Sequence, residues 1–298
     1  VRAHWTRGLL PLAIEFAQTY AHLFRHIGAA RVWRMYRPAF NAGVLPLLVF
    51  TGPLLLGLAL AAGFGIPGAA AGVLLVITSW LFAIRAGLPW LVRIYTFFMR
   101  MGRGPIAGLE ARTRAWVECI IARQQAAPVD EVLLVGHSVG TLVMVDAVDA
   151  LLKDPRWQAL QRGRPTTMLT LGQSYAMVAL APGAQGLGET LQRLSHHPAL
   201  RWWDVTARID ALCFHGAHPL AGTGLPQRQG PCPVPHAARF MHMYEPTRWA
   251  RIRANKLQAH FLYLMTPQEP GTFSPLDVLY GPRGLAQQMK DKGEAPHA

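Results

Sequence analysis

A long uncharged segment limits what this chain can fold into more than any other feature of its sequence. Residues 42–84 contain no Asp, Glu, Lys or Arg, although the 298-residue chain has 29 Lys and Arg and 16 Asp and Glu. A membrane-spanning helix needs about 20 apolar residues to cross about 30 Å of hydrocarbon. The segment therefore predicts two spanning helices, at residues 42–62 and 69–84, joined by a Gly- and Pro-containing turn. The alternative is a helical hairpin buried inside a soluble domain.

Basic residues on both sides of this segment predict its orientation. Residues 1–41 contain one acidic residue, Glu15, and six arginines: Arg2, Arg7, Arg25, Arg31, Arg34 and Arg37. Four more arginines follow the second predicted helix, at positions 85, 93, 100 and 103. Because positively charged flanks stay on the cytoplasmic side, we expect a multi-pass membrane protein with two helices and both termini in the cytoplasm.

Composition narrows the classes of partner. Hydrophobic residues make up 51% of the chain and charged residues 15%, which excludes a disordered polypeptide. The net charge of +13 occurs without a block of Lys and Arg, so anionic lipid explains it better than nucleic acid does. Three cysteines without ligand spacing indicate neither a metal site nor a disulfide framework. Residues 86–107 mix aromatics with arginine, which suits either an interfacial linker or packing beneath a soluble domain.

The pattern of residues 108–298 predicts an α/β domain. Four apolar runs predict strands, at residues 131–135, 167–171, 200–206 and 239–244. Two amphipathic patterns predict helices, at residues 108–126 and 141–153. Strands that alternate with segments long enough for a helical crossover indicate a parallel sheet.

The first predicted strand leads directly into the sequence Gly136-His137-Ser138-Val139-Gly140, and a predicted helix follows. This is the pattern of a nucleophile elbow, in which a serine sits in a strained strand-to-helix turn at the edge of the sheet. Small residues two before and two after the serine let the backbone pass close by. The turn also aims the helix N-terminus, with its free N–H groups, at the reacting oxygen. An ordinary glycine-rich turn is the alternative.

Residues 131–152 resemble the nucleophile region of the α/β-hydrolase superfamily, in its lipase and esterase branch. Residues 170–174 resemble the strand end that often follows, residues 201–212 resemble the strand and turn that carry the acid, and the likeness covers residues 108–282. The resemblance implies an α/β-hydrolase-like domain in which Ser138 is the nucleophile, followed along the chain by an acid and a histidine. It also implies that the N–H of Val139 stabilises the oxyanion.

Two candidates exist for each of the other two members of this triad. Asp210 falls just past the third predicted strand, where a loop can turn it towards the site, whereas Asp204 lies within that strand. We therefore expect Asp210 to be the acid, with Asp204 as the alternative. His260 comes about 50 residues after Asp210, beyond the last predicted strand, which resembles the position of the superfamily's base. His242 is the alternative to His260.

The sequence departs from the superfamily upstream of Ser138. A second oxyanion donor normally comes from a loop after an earlier strand, often with His-Gly, and no such strand and loop precede residue 131. One interpretation is that the sequence, which begins with Val1, is truncated or starts at a misassigned codon, so that residues 1–5 are the remnant of a lost strand. The other is that the protein is a reduced, inactive relative. In both cases we expect the strand at residues 131–135 to have an unpaired edge.

These observations predict a membrane-anchored serine hydrolase that cleaves carboxylic esters, with lipid esters among the candidate substrates, through an acyl-enzyme. No metal or organic cofactor is implied, and nothing indicates the oligomeric state. The lipid substrate rests on the membrane segment and on the resemblance alone. One alternative is a non-catalytic membrane protein that keeps the fold as an interaction or scaffold module. Another is an acyltransferase that uses the same triad.

Overall fold

The computed structural model describes residues 9–226, 230–269 and 273–293, and the chain divides into two compact units. The first unit ends at Met99 and the second begins at Arg100. The boundary therefore falls within the predicted linker at residues 86–107. Arg2 and Arg7 of the basic N-terminal flank lie outside the described residues.

The described part of the first unit is helical. It contains α1 (Leu9–His22), a π-helical turn (Leu23–Ile27), α2 (Ala29–Met35), α3 (Arg37–Arg85) and most of α4 (Leu88–Met101). α4 corresponds to most of the predicted linker, and eight of its 14 residues are buried.

α3 is long and apolar enough to cross a membrane. Its 49 residues would extend about 74 Å in a straight helix, more than twice the thickness of the hydrocarbon core. The backbone leaves helical geometry at Gly65, where φ is 60° and ψ is −136°. Many large apolar side chains on both sides of this residue are exposed, among them Leu55, Leu58, Phe64 and Val73.

The arms of α3 on either side of Gly65 contact each other. A Cβ atom on Gly72 would lie 2.7 Å from the Cα atom of Gly57, and the ring centroids of Phe50 and Trp80 are 5.4 Å apart. The sequence predicts two helices separated by a turn at residues 63–68, whereas the structure has one helical element with non-helical backbone at a single residue.

Four parallel strands form the sheet of the second unit. They are β1 (Leu133–His137), β2 (Thr166–Leu171), β3 (Leu200–Thr206) and β4 (Val234–Ala237), and they lie in the order β1-β2-β3-β4. The α/β class and the parallel sheet predicted from the sequence are confirmed. β2 is buried along its whole length, as a central strand covered on both faces should be. In the described part of the chain β1 is an outer strand, with the unpaired edge that the sequence predicts.

Helices cover both faces of the sheet. The described helices of the second unit that follow α4 are α5 (Leu109–Ala126), α6 (Gly140–Lys153), α7 (Pro155–Gln161), α8 (Tyr175–Ala179), α9 (Gln185–Ser195), α10 (Pro246–Ala254), α11 (Lys256–His260), α12 (Pro275–Tyr280) and α13 (Leu285–Gly293). Side chains alternate between the two faces of a strand. Trp203 and Val205 therefore join a buried cluster with α10, α12 and α13, whereas Trp202 packs against Tyr175 of α8, with ring centroids 6.0 Å apart.

The fourth predicted strand is wrong in position. The sequence predicts it at residues 239–244, but β4 comprises Val234–Ala237, and Phe240–His242 forms a 3₁₀ turn. The apolar side chains of Phe240 and Met243 are buried in the core cluster rather than alternating across a sheet. β4 contains Pro235, which argues against a strand in sequence analysis. The proline is tolerated because β4 is an outer strand.

Candidate active site

Ser138 occupies the turn between β1 and α6, and its backbone has a φ of 54°. Few residues other than glycine adopt this left-handed conformation. A Cβ atom on Gly136 would lie 3.0 Å from the Cα atom of Thr141 and 3.1 Å from the carbonyl oxygen of Gly140. The backbone therefore passes close to Gly136, as a nucleophile elbow requires two residues before its serine. Two residues after the serine there is no such close contact, because a Cβ atom on Gly140 would meet nothing within 4 Å.

Hydrogen bonds on both sides hold the turn. The N–H of Ser138 donates to the carbonyl oxygen of Leu171 at the end of β2 (2.9 Å). The carbonyl oxygen of Ser138 accepts from the N–H (2.9 Å) and the hydroxyl (2.6 Å) of Thr141. Among the described residues, the N–H of Val139 donates to no acceptor. It is thus available to a ligand at the N-terminus of α6.

Asp210 and His260 form a buried pair. His260 Nδ1 lies 3.0 Å from Oδ1 and 2.9 Å from Oδ2 of Asp210. His260 is 1% exposed and Asp210 is 0% exposed. The N–H of Leu212 also donates to Asp210 Oδ1 (2.8 Å). Burial alone would raise the pKa of Asp210, but the hydrogen bond and the charge of His260 lower this pKa below its ordinary value. The carboxylate therefore fixes the Nδ1–H tautomer of His260 and leaves Nε2 as an acceptor.

His137 links the serine turn to His260. Its Nε2 lies 3.0 Å from the carbonyl oxygen of His260, and the two ring centroids are 4.9 Å apart. Burial, and then the charge of His260, lower the pKa of His137 to about 4, so this imidazole is neutral at neutral pH and Nε2–H donates. The hydroxyl of Ser138 makes no hydrogen bond to a described residue in this structure. Ser138 and the Asp210–His260 pair are thus connected through His137, the residue that precedes the serine.

The two alternative residues lie elsewhere. Asp204 faces Thr170, whose hydroxyl donates to Asp204 Oδ1 (2.6 Å). Burial raises the pKa of Asp204 to about 7. His242 ends the 3₁₀ turn after β4 and is exposed. The structure therefore brings His260 together with Asp210 and pairs neither residue with Asp204 or His242.

Gly172 and Tyr263 lie beside the acid, and neither was predicted as a site residue. A Cβ atom on Gly172 would lie 2.8 Å from the ring of Tyr263 and 3.0 Å from Asp210 Oδ2, and the φ of Gly172 is 55°. Cys213 Sγ lies 3.7 Å from the hydroxyl of Tyr263. The position of Gly172 directly after β2 is a sequence signal for such a close approach. Nothing in the sequence singles out Tyr263.

The arrangement offers a strained serine, an oriented imidazole and a free backbone donor at one edge of a parallel sheet. Ser138 follows β1, Asp210 follows β3 and His260 follows β4, and the carboxyl ends of parallel strands meet at the same edge. Among the described residues, no group of three or more His, Cys, Asp and Glu side chains could hold a metal ion. Comparison of the chain with protein-family models, with curated proteins and with solved structures finds no significant match.

Proposed function

We propose that the protein is a membrane-anchored serine hydrolase that cleaves carboxylic esters through Ser138, His260 and Asp210. One observation carries this proposal: a fully buried carboxylate holds His260 Nδ1 at 2.9 and 3.0 Å. A second supports it, because Ser138 has a strained φ of 54° in a strand-to-helix turn whose preceding residue contacts His260. A histidine oriented in this way is the base that a serine hydroxyl needs.

In the first half of the reaction, Ser138 Oγ attacks the ester carbonyl carbon and its proton passes to His260 Nε2. The negative charge of Asp210 stabilises the imidazolium that forms. The N–H of Val139 donates to the oxyanion of the tetrahedral intermediate. When the intermediate collapses, the carbon–oxygen bond to the alcohol breaks, His260 returns its proton to the leaving alkoxide, and the acyl group stays on Ser138.

In the second half, water takes the place of the alcohol. His260 removes a proton from the water, the hydroxide attacks the acyl carbon, and the second intermediate breaks its bond to Ser138 Oγ. The proton on His260 returns to the serine and the carboxylic acid leaves. An alcohol acceptor in place of water would give acyl transfer with the same residues, so analysis of the products with an added alcohol separates the two activities.

The membrane anchor is a helical hairpin in this proposal. The contacts of Gly57 with Gly72 and of Phe50 with Trp80 support it, because a straight helix would separate residues 50 and 80 by about 45 Å. Each arm of α3 is long enough for one crossing of about 30 Å, and small residues are typical where membrane helices approach closely. In this proposal both termini and the second unit are cytoplasmic, and the arginines on both sides of the segment at residues 42–84 support this orientation.

A fluorophosphonate probe tests the hydrolase. Only an activated serine reacts with the probe, so we expect covalent labelling of the purified chain that Ser138→Ala abolishes. Ser174→Ala is the matched control, because Ser174 also follows a strand at this edge and its hydroxyl has no hydrogen-bond partner in the described structure. Labelling of this control at the wild-type rate is expected.

The outcomes separate the candidate functions. Labelling that survives Ser138→Ala would show that another serine reacts and would refute the assignment of the nucleophile. A folded wild-type protein that neither takes the label nor cleaves a short-chain ester would instead favour the non-catalytic interaction module.

A further inference from the structure

The carbonyl oxygen of His260 takes no part in the proposed reaction, yet a specific donor holds it. His260 is the last residue of α11, where the carbonyl oxygens of a helix have no partner within that helix. Among the described residues, no backbone N–H donates to this oxygen. His137 Nε2 lies 3.0 Å from it and donates instead. A side chain of β1 therefore holds the end of the helix that carries the proposed base.

The ring of His137 is packed as well as hydrogen-bonded. Its centroid lies 4.9 Å from that of His260, 5.5 Å from that of Phe261 and 5.8 Å from that of Tyr263. His137 is also the last residue of β1 and directly precedes Ser138. Its ring thus links the strand that carries the nucleophile to the segment that carries the base.

His137 is poorly suited to be the base itself. Burial, and then the charge of His260, lower the pKa of His137 to about 4, and a base with so low a pKa holds a transferred proton weakly. The one N–H of the neutral ring already donates to a backbone oxygen. A neutral ring beside His260 also adds no positive charge that would oppose the imidazolium formed during the reaction. The contribution of His137 is therefore one that acts through His260.

We propose that His137 is a positioning residue, which holds the main chain of His260 so that its Nε2 stays within reach of the Ser138 hydroxyl. The proposal rests on the hydrolase function proposed above. Asp210 orients the His260 ring from the loop after β3, and His137 holds the main chain of the same residue from the end of β1. Two anchors at different strand ends fix the base more closely than one. A displacement of about 1 Å at such a group can cost about 100-fold in rate.

Two substitutions separate the hydrogen bond from the packing. His137→Phe keeps a ring of similar size but removes the N–H, whereas His137→Gln places an amide N–H near the position of Nε2. We expect fluorophosphonate labelling of Ser138 to slow about tenfold or more in His137→Phe and less than about threefold in His137→Gln. The kcat for a short-chain ester should fall in parallel with an unchanged KM, because the base acts in the chemical step.

Trp157→Phe is the matched control for lost stability. Trp157 Nε1 donates to Thr166 Oγ1 (2.9 Å) at the start of β2, the opposite end of the sheet from Ser138. This variant also loses one ring N–H donor, so it should melt below the wild-type temperature but label at the wild-type rate. Wild-type labelling by His137→Phe would refute the positioning role. Equal slowing of the two Phe variants would mean that labelling follows stability, which also refutes it.

A double-mutant cycle tests whether His137 acts through His260. In a His260→Ala background the base is absent, so adding His137→Phe should not slow the residual labelling further. A further loss of about tenfold in this background would show that His137 acts independently of His260, and would overturn the proposal.

The proton between His260 Nδ1 and Asp210 gives a readout that needs no turnover. Both residues are buried, so this proton exchanges slowly with water, and proton NMR of the full chain in detergent should show it far downfield of the amide protons. Asp210→Asn identifies the resonance. We expect His137→Phe to shift it and His137→Gln to leave it near its wild-type position.

This resonance separates the two proposals. A wild-type protein that does not label, but whose resonance shifts in His137→Phe and not in His137→Gln, refutes the hydrolase and leaves His137 as the residue that positions His260. A wild-type protein that labels, with neither the labelling rate nor the resonance changed in His137→Phe, refutes the positioning role and leaves the hydrolase.

Discussion

At Ser138 the backbone adopts a conformation that few residues with a side chain take. A left-handed φ of 54° costs on the order of 1 kcal/mol for a residue with a Cβ atom. The surrounding structure overcomes this cost, because Leu171 accepts from the N–H of Ser138 and Thr141 donates twice to its carbonyl oxygen. Strain that is held in place in this way is typical of functional turns.

This strain gives a prediction that does not depend on catalysis. Ser138→Gly should be more stable than Ser138→Ala by about 1 kcal/mol, because glycine adopts a positive φ at no steric cost. At Val139, where φ is −54°, the order should reverse, with Val139→Ala more stable than Val139→Gly. Thermal melting of the four variants in detergent measures both differences. Equal stability of the two variants at position 138 would contradict the strained turn.

Two buried aspartates in adjacent parts of the chain have opposite electrostatic environments. Asp210 receives hydrogen bonds from His260 and Leu212, and its pKa falls. Asp204 is equally buried but faces only neutral donors, so burial dominates and raises its pKa to about 7. A sequence shows that both residues are carboxylates near the end of one strand. It does not show which one meets His260, because that depends on the path of a segment 50 residues further along the chain.

The raised pKa of Asp204 predicts how stability depends on pH. The folded state holds a proton with a pKa of about 7 and the unfolded state has a pKa of about 3.9, so between these values only the folded state is protonated. Folding stability from this group therefore decreases as the pH rises from about 4 to about 7. Asp204→Asn removes the effect and can still accept from Thr170.

Melting curves from pH 5 to pH 8 measure this dependence. Between pH 5 and pH 8 the wild type should lose on the order of 2 kcal/mol of folding stability that Asp204→Asn keeps. The difference in stability between variant and wild type should therefore change in favour of the variant as the pH rises. Asp130→Asn, at a fully exposed carboxylate, is the control and should show no comparable gain. A difference between Asp204→Asn and the wild type that stays constant with pH would mean that Asp204 is ionised throughout.

At the scale of elements, three of the four strands follow from the sequence. β1, β2 and β3 lie within two residues of their predicted positions, because a buried parallel strand requires a continuous apolar run and little else produces one. β4 could not be predicted, because its four residues include Pro235 and show no apolar run. The apolar residues that come after β4 pack in the buried core cluster and do not form a strand. Outer strands are specified by their partner, here β3, more than by their own composition.

The break in α3 could be predicted from the sequence only in part. Glycines and a proline at residues 63–68 predict a turn, but only Gly65 leaves the helical region. Glycine tolerates the φ of 60° found there. The close approach of Gly57 to Gly72 depends on which residues face each other after the break, and a segment with apolar residues on all sides has no periodicity that reveals this.

Packing at Gly72 can be tested directly. Gly72→Ile should destabilise the chain by about 2 kcal/mol or more, because even its Cβ atom would lie 2.7 Å from the Gly57 backbone. Gly63→Ile is the matched control, since nothing lies within 4 Å of a Cβ atom there, and it should melt near the wild-type temperature. If both variants melt alike in detergent, the two arms of α3 do not pack through these glycines.

At the scale of the whole molecule, the candidate site joins residues that are distant in sequence. Because parallel strands deliver their following loops to one edge, the predicted strand ends and the superfamily resemblance favour Asp210 over Asp204 and His260 over His242 as partners of Ser138. The hydrogen bond from His137 to the His260 carbonyl spans 123 residues and depends on how α11 packs near β1. Such a contact has no signature in a single sequence, so His137 could be identified only from the fold.

Native and introduced cysteines test the arrangement in the membrane. Cys119 is exposed, whereas Cys213 and Cys232 are buried, so a membrane-impermeant maleimide reports on α5 alone in the native protein. The proposed cytoplasmic location of the second unit predicts that Cys119 reacts in inverted membrane vesicles and is protected in right-side-out vesicles. Ile66, which follows the break in α3 and is 86% exposed, supplies the second reporter as Ile66→Cys in a Cys119→Ser background.

The hairpin and a single crossing predict different results for these two positions. In a hairpin the tip at residue 66 lies on the face opposite to the second unit, so Ile66→Cys should react in right-side-out vesicles only, the reverse of Cys119. Detergent should expose both positions, which controls for reactivity. Reaction of both from one face would refute the hairpin, because arms of about 42 and 30 Å that both cross the hydrocarbon core must carry the tip across it.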